Sequence, residues 1–152
     1  MAFSTAEARQ ELLDAIAEAI DELGFALASL GEAFEQLDDQ TADSLEEDLF
    51  RPTQLAYGRA KRTHAEFAAR HGLAPRDFAP QSAGLPSRRA KGFIEDAMEG
   101  LIKADHALAG LQDSEMFVEV GDVELRSGAS GVREQIADLP HRARELLRRL
   151  GR

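Results

Sequence analysis

Nine apolar residues, Leu12, Leu13, Ile16, Ile20, Leu23, Leu27, Leu30, Phe34 and Leu37, recur at helical spacing near the start of the chain. On a wheel turning about 100° per residue they fall within roughly 120° of one another, which predicts a long amphipathic helix with a single buried face. Ser4 or Thr5 is placed to cap its start, and Glu7 stands three residues after Ser4 in the capping-box position. Gly24 and Gly31 lie at the edge of the stripe. Glycine costs helix propensity there, so the pattern predicts close approach by a neighbouring backbone. Phe25 points away from the stripe and is the first candidate for a subunit contact.

The stretch LDDQTAD interrupts the periodicity, and Asp39 or Thr41 is suited to cap a second helix reaching His71. Its stripe is thinner: Leu45, Leu49, Thr53, Ala56, Ala60, His64, Phe67 and His71. Pro52 lies inside that helix, which predicts a kink or a break near Phe50. The short connection predicts that helices one and two pack antiparallel. Gly72 is a natural stop, and residues 72–86 hold three prolines and two glycines, a long loop for so small a protein. Leu73, Phe78 and Leu85 within it predict a loop pinned onto the end of a helical bundle. Ser87 is placed to cap a third helix with the stripe Ala90, Ile94, Ala97, Met98, Leu101 and Leu108, and Asp105 falls in its middle.

Residues 113–125 read in two ways. VEVGDVEL alternates as a hairpin would, with a Gly-Asp turn. Leu125, however, also begins the stripe Ala129, Val132, Ile136, Leu139, Ala143, Leu146, Leu147 and Leu150, and Asp122 makes a good N-cap. A lone hairpin has no sheet to join, so a fourth helix starting near Asp122 and kinked at Pro140 is the favoured reading. Four helices with one apolar stripe each predict an all-α fold, an up-down-up-down four-helix bundle forming a single domain over residues 1–152, with the Pro/Gly loop between helices two and three.

Composition agrees: the hydrophobic residues are mainly Ala and Leu, with one Tyr and no Trp. The absence of Cys removes disulfides and thiolate metal sites. The chain shows neither a signal-peptide pattern at its start nor an uncharged apolar run long enough to cross a bilayer, so a cytoplasmic location is expected. The net charge of −10 disfavours binding to nucleic acid or to an anionic membrane. That charge alternates along the chain. Residues 1–50 carry 14 acidic side chains against 1 basic, residues 51–91 carry 2 against 9, residues 92–140 carry 11 against 3, and residues 141–152 carry 1 against 5. In an up-down-up-down bundle this alternation predicts acidic helices one and three on a diagonal, each flanked by basic neighbours.

Candidate chemistry is sparse. A ferritin-like metal pair needs Glu-x-x-His on two helices, and no histidine of this chain has Glu three residues before it. His64 and His71, seven residues apart on one face, are possible ligands or core-edge histidines. Asp105 on an apolar face calls for a partner, expected to be His64, His71 or an arginine of helix two, and it is also a candidate small-ligand or metal site together with His64. Residues 56–70, AYGRAKRTHAEFAAR, mix basic and aromatic side chains, but the cations spread around the helix and suit internal pairing better than nucleic acid.

Glu95-Asp96-x-x-Glu99, followed after 19 residues by Glu119-x-x-Asp122, resembles the metal-binding motif of the MazG-like all-α nucleoside triphosphate pyrophosphohydrolases. The resemblance covers about 30 residues, with Asp96 where the family has Glu. It implies Mg²⁺ held by Glu95, Asp96, Glu99, Glu119 and Asp122 against substrate phosphates. No phosphate-binding glycine loop, nucleophile elbow, zinc spacing or dinucleotide fingerprint accompanies it. The leading expectation is a non-catalytic structural or protein-interaction module, homodimeric and with a possible protein partner. The Mg²⁺-dependent hydrolase, and a bundle binding a ligand or metal near Asp105 and His64, are the alternatives.

Overall fold

A computed structural model describes residues 4–79, 81–85 and 88–151, and every regular element among them is a helix. Helix α1 (Thr5–Glu35) begins where Ser4 Oγ accepts the Glu7 backbone N–H at 3.1 Å. Six residues of its stripe, Leu12, Leu13, Ile16, Ile20, Leu23 and Leu30, are buried as expected.

The second limb consists of α2 (Asp39–Leu45), a π-helical segment (Glu46–Phe50) and α3 (Arg51–Arg70). Asp38, one residue before the expected caps, starts it by accepting the Thr41 N–H at 2.8 Å. The helix does not break at Phe50; it widens there. Pro52 has no N–H to offer the carbonyl of Asp48, four residues earlier, and its ring would crowd that oxygen. A π turn opens the space, and Arg142 Nη1 donates to the freed Asp48 oxygen at 3.1 Å. The limb ends at Gly72, whose φ of 65° only glycine adopts freely. Leu73 N–H returns to the Ala68 carbonyl at 2.9 Å, the closure expected of a left-handed cap.

Residues 72–79 and 81–85 form no helix. Helix α4 (Ala90–Gln112) follows, then the short α5 (Glu115–Glu119), α6 (Val123–Ile136) and α7 (Leu139–Leu150). The fourth limb starts as predicted, with Asp122 Oδ1 accepting the Leu125 N–H at 2.8 Å, and α7 opens with Pro140 in its first turn. Residues 115–119 are helical, not the first strand of a hairpin. The expected cap Ser87 lies outside the described residues.

The direction of the limbs departs from expectation. Gln36, just beyond α1, donates through Nε2 to the Arg88 carbonyl just before α4 at 2.8 Å, while Arg9 near the start of α1 donates to the Val120 carbonyl at 3.0 Å. Hence α4 runs antiparallel to α1. Tyr57 on α3 lies beside Gly24 in mid-α1, and the end of α3 meets the start of α6 through Arg70 and Asp122. So α3 also runs antiparallel to α1, and α3 and α4 point the same way. The intervening segment is therefore a strap along the flank, where Arg76 pairs with Asp21, Phe78 touches His64 and Gln81 sits beside Gly24. It is not pinned across an end. Leu73 and Phe78 pack on the core, but Leu85 stays 71% exposed.

Side by side, α1 packs most extensively on α4, then on α3; α6 packs on α3, and α7 on α4. The two acidic helices are thus neighbours, contrary to the diagonal arrangement expected from charge. Apolar contact decides this. The Gly100 backbone approaches the Glu22 carbonyl so closely that an added Cβ would lie 3.0 Å from it, with Ala26 beside it. Burying that seam is worth several kcal/mol, against at most about 1 kcal/mol for a surface ion pair.

Candidate functional site

The carboxylates singled out in the sequence do not converge. Asp122 forms a clasp between the end of α3 and the start of α6. Arg70 donates to it through Nε at 2.7 Å and Nη2 at 2.8 Å, His71 Nε2 stands 2.8 Å from Oδ2, and the Leu125 N–H caps Oδ1. Burial works to raise the Asp122 pKa, but the hydrogen bonds from Arg70, Leu125 and His71 outweigh it and hold the carboxyl well below the usual range. The His71 ring also lies against Phe67, tilted 56° with centroids 4.6 Å apart. Every strong acceptor direction of Asp122 is already in use.

Asp96 and Glu99 sit near the opposite end of α4, where they pair with Arg88 and Lys103 at 3.1 Å each. Glu95 and Glu119 are exposed. From Glu99 to the end of α4 is about 20 Å of helix at 1.5 Å per residue, so the expected Mg²⁺ ligands Glu95, Asp96, Glu99, Glu119 and Asp122 fall into separate groups. No cluster of three or more carboxylate or histidine side chains among the described residues is arranged to hold a metal ion.

Asp105 finds its partner on α6, not on helix two. Arg133 donates through Nε at 2.8 Å and Nη2 at 3.3 Å, and its Nη1 reaches Gln112 Oε1 at 2.8 Å. Gln112 in turn donates to Ser130 Oγ at 3.0 Å. This is a half-buried strut joining α4 to α6. His64 looks elsewhere: it is buried in α3 with the Phe78 ring edge-on at 5.1 Å. Burial first, then the charge of Arg76, lowers its pKa against a weaker opposing pull from Asp14, so it stands neutral at pH 7. Asp105 and His64 therefore face different neighbours.

Around Glu22 the adjoining acidic helices leave a trace. Burial, then Glu18, Glu99 and Asp21, push its carboxyl upward, while Lys103 opposes them. Glu22 lines a cleft of about 420 Å³ with Phe25, Arg88, Asp96, Glu99 and Lys103, closed on one side by the strap at Gly84. Phe25, expected at a subunit contact, is half-buried here across Gly100.

A second set of openings escaped the sequence reading. Between α1 and the second limb lie a cleft of about 250 Å³ lined by Gly31, Phe34, Glu35, Glu46 and Phe50, and one of about 390 Å³ whose lining includes Leu27, Ala28, Gly31, Phe50 and Tyr57. Gly31 faces open space, with nothing within 4 Å of an added Cβ, and at Gly24 side chains approach where backbone was expected. The glycines at the stripe edge and Lys61 four residues after Tyr57 were the signals available. They needed the neighbouring limb before they meant anything.

No known protein family matches the chain, and neither the curated proteins nor the solved structures include a significant match.

Proposed function

We propose that this protein is a non-catalytic four-helix-bundle module that acts through its surface, as a cytoplasmic homodimer able to hold a protein partner. The observation that supports this reading is the clustering of charge by helix. The adjacent helices α1 and α4 carry eight carboxylates against Arg9 alone and four against two lysines. Of their basic neighbours, α3, packed on α1, carries five cations against Glu66, and α7, packed on α4, carries four arginines against Glu145. Meanwhile the half-buried carboxylates Asp105 and Asp122 are engaged in joining helices.

Such a distribution favours a twofold pairing in which an acidic helix of one copy meets a basic helix of the other. The α4–α7 edge suits it, because one twofold axis sets α4 against the partner's α7 twice over and leaves the strap uncovered. The test is mass in solution by sedimentation equilibrium. A dimer that dissociates on Arg144→Glu/Arg148→Glu supports the reading. A monomer at all concentrations, with no partner retained on an immobilised sample of the protein, overturns it.

A further inference from the structure

Three clefts adjoin in one groove, two of them between α1 and the second limb and the third between α3 and the strap. The cleft at Phe34 and Glu46 shares Gly31 and Phe50 with the next. That one shares Lys61 and Phe78 with a third, of about 560 Å³, lined by Gly58, Lys61, Arg62, Ala65, Arg76, Asp77 and Phe78. The middle is apolar, and its two ends differ in charge: Glu35 and Glu46 at one, Lys61, Arg62 and Arg76 against Asp77 at the other. Arg76 is shared with Asp21 at 3.0 Å and lies over Phe78 at 4.6 Å, while Lys61 lies over the Tyr57 ring at 4.3 Å. Lys61 and Arg62 make no ion pair among the described residues.

We propose that this groove binds a single-chain amphipathic carboxylate, a medium-chain fatty acid, with its chain along Gly31 and Phe50 and its head between Lys61 and Arg62. The distance fits. From Phe34 to Gly24 is about 15 Å of α1, the reach of an extended chain of about ten to twelve carbons. The chemistry fits as well, since the apolar stretch offers few polar partners, Tyr57 and Gln81, which excludes ligands needing many hydrogen bonds. The charge asymmetry fixes orientation, because Glu35 and Glu46 repel a carboxylate from the other end. The π segment has a part in this, since Glu46 and Phe50 are its first and last residues and both line the groove.

The site carries its own reporter. Tyr57 is the only tyrosine of the chain, and there is no tryptophan. Decanoate and decanol are titrated into the protein and followed by calorimetry and by tyrosine emission. The proposal expects saturable decanoate binding at about 10 µM with a parallel change in emission, and decanol binding weaker by about tenfold. Gly31→Leu fills open space on a helix that it also favours, so it folds and abolishes the emission change. Lys61→Ala/Arg62→Ala weakens decanoate by about tenfold and leaves decanol unchanged. Absence of saturable decanoate binding overturns the proposal. So does binding that leaves Tyr57 emission unmoved or survives Gly31→Leu, and so does equal affinity for decanol.

Discussion

Asp122 is the residue on which most local bonds converge, and its environment sets a definite pH response. Its folded pKa lies below the unfolded value, so the stability it contributes is present above the unfolded carboxylate range and is lost as pH falls through the folded pKa. Asp122→Ala removes a helix cap and a two-pronged Arg70 contact together, and it is expected to cost about 2 kcal/mol at pH 7 by urea unfolding. Asp122→Asn keeps an acceptor for the Leu125 N–H and loses the charge, so it falls between Ala and wild type. An unchanged denaturation midpoint for Ala would mean that the clasp contributes nothing. Glu22 has the opposite sign. Its folded pKa is raised, so the ionised side chain is a burden at neutral pH, relieved as pH falls through the folded pKa toward the unfolded value. Glu22→Gln should raise the thermal midpoint by about 1 to 2 °C at pH 7, and the gain should vanish near pH 4. A gain that persists at pH 4 would point to a cause other than charge.

At the level of elements, what was legible in the sequence was local. The α1 stripe, the Ser4 cap, the Asp122 cap and the disturbance by Pro52 each depend on residues within a turn or two, and each is found. What needed the third dimension was missed. Asp105 announced that it needed a partner, but the candidates on helix two and Arg133 on α6 were equally good until the packing order of the limbs was known. The course of the strap depends on which end of the molecule α4 starts from, and no residue in 72–86 states that. Glycines show the same ambiguity in its sharpest form. Gly100 and Gly31 look alike in sequence, yet an added Cβ meets the Glu22 carbonyl at 3.0 Å in one case and nothing within 4 Å in the other. Gly31→Ala is therefore expected to stabilise by about 0.5 to 1 kcal/mol through helix propensity alone. Gly100→Ala gains the same propensity but presses on backbone that cannot swing aside, and should lose about 1 to 2 kcal/mol overall. Chemical unfolding of the pair separates the two effects, and equal shifts would show that the α1–α4 seam is looser than the structure has it.

For the whole molecule, the arrangement of charge matters more than its total. A net charge of −10 opposes self-association at long range, yet in the proposed dimer the acidic α4 of one copy and the basic α7 of the other attract one another at short range. These two terms respond differently to salt. Long-range repulsion between net charges is screened once the Debye length falls to about 10 Å, near 0.1 M salt, whereas close opposite charges across a contact are weakened only at higher ionic strength. The proposed homodimer should therefore tighten from very low salt to about 0.1 M and loosen again toward about 1 M. Sedimentation equilibrium across that range tests it directly. A dimer constant that only weakens with salt would mean that the net charge is irrelevant, and one that only strengthens would place the contact on an apolar surface in place of the charged α4 and α7. Arg144→Glu/Arg148→Glu adds to the repulsion and reverses part of the attraction, so it should remove the maximum altogether.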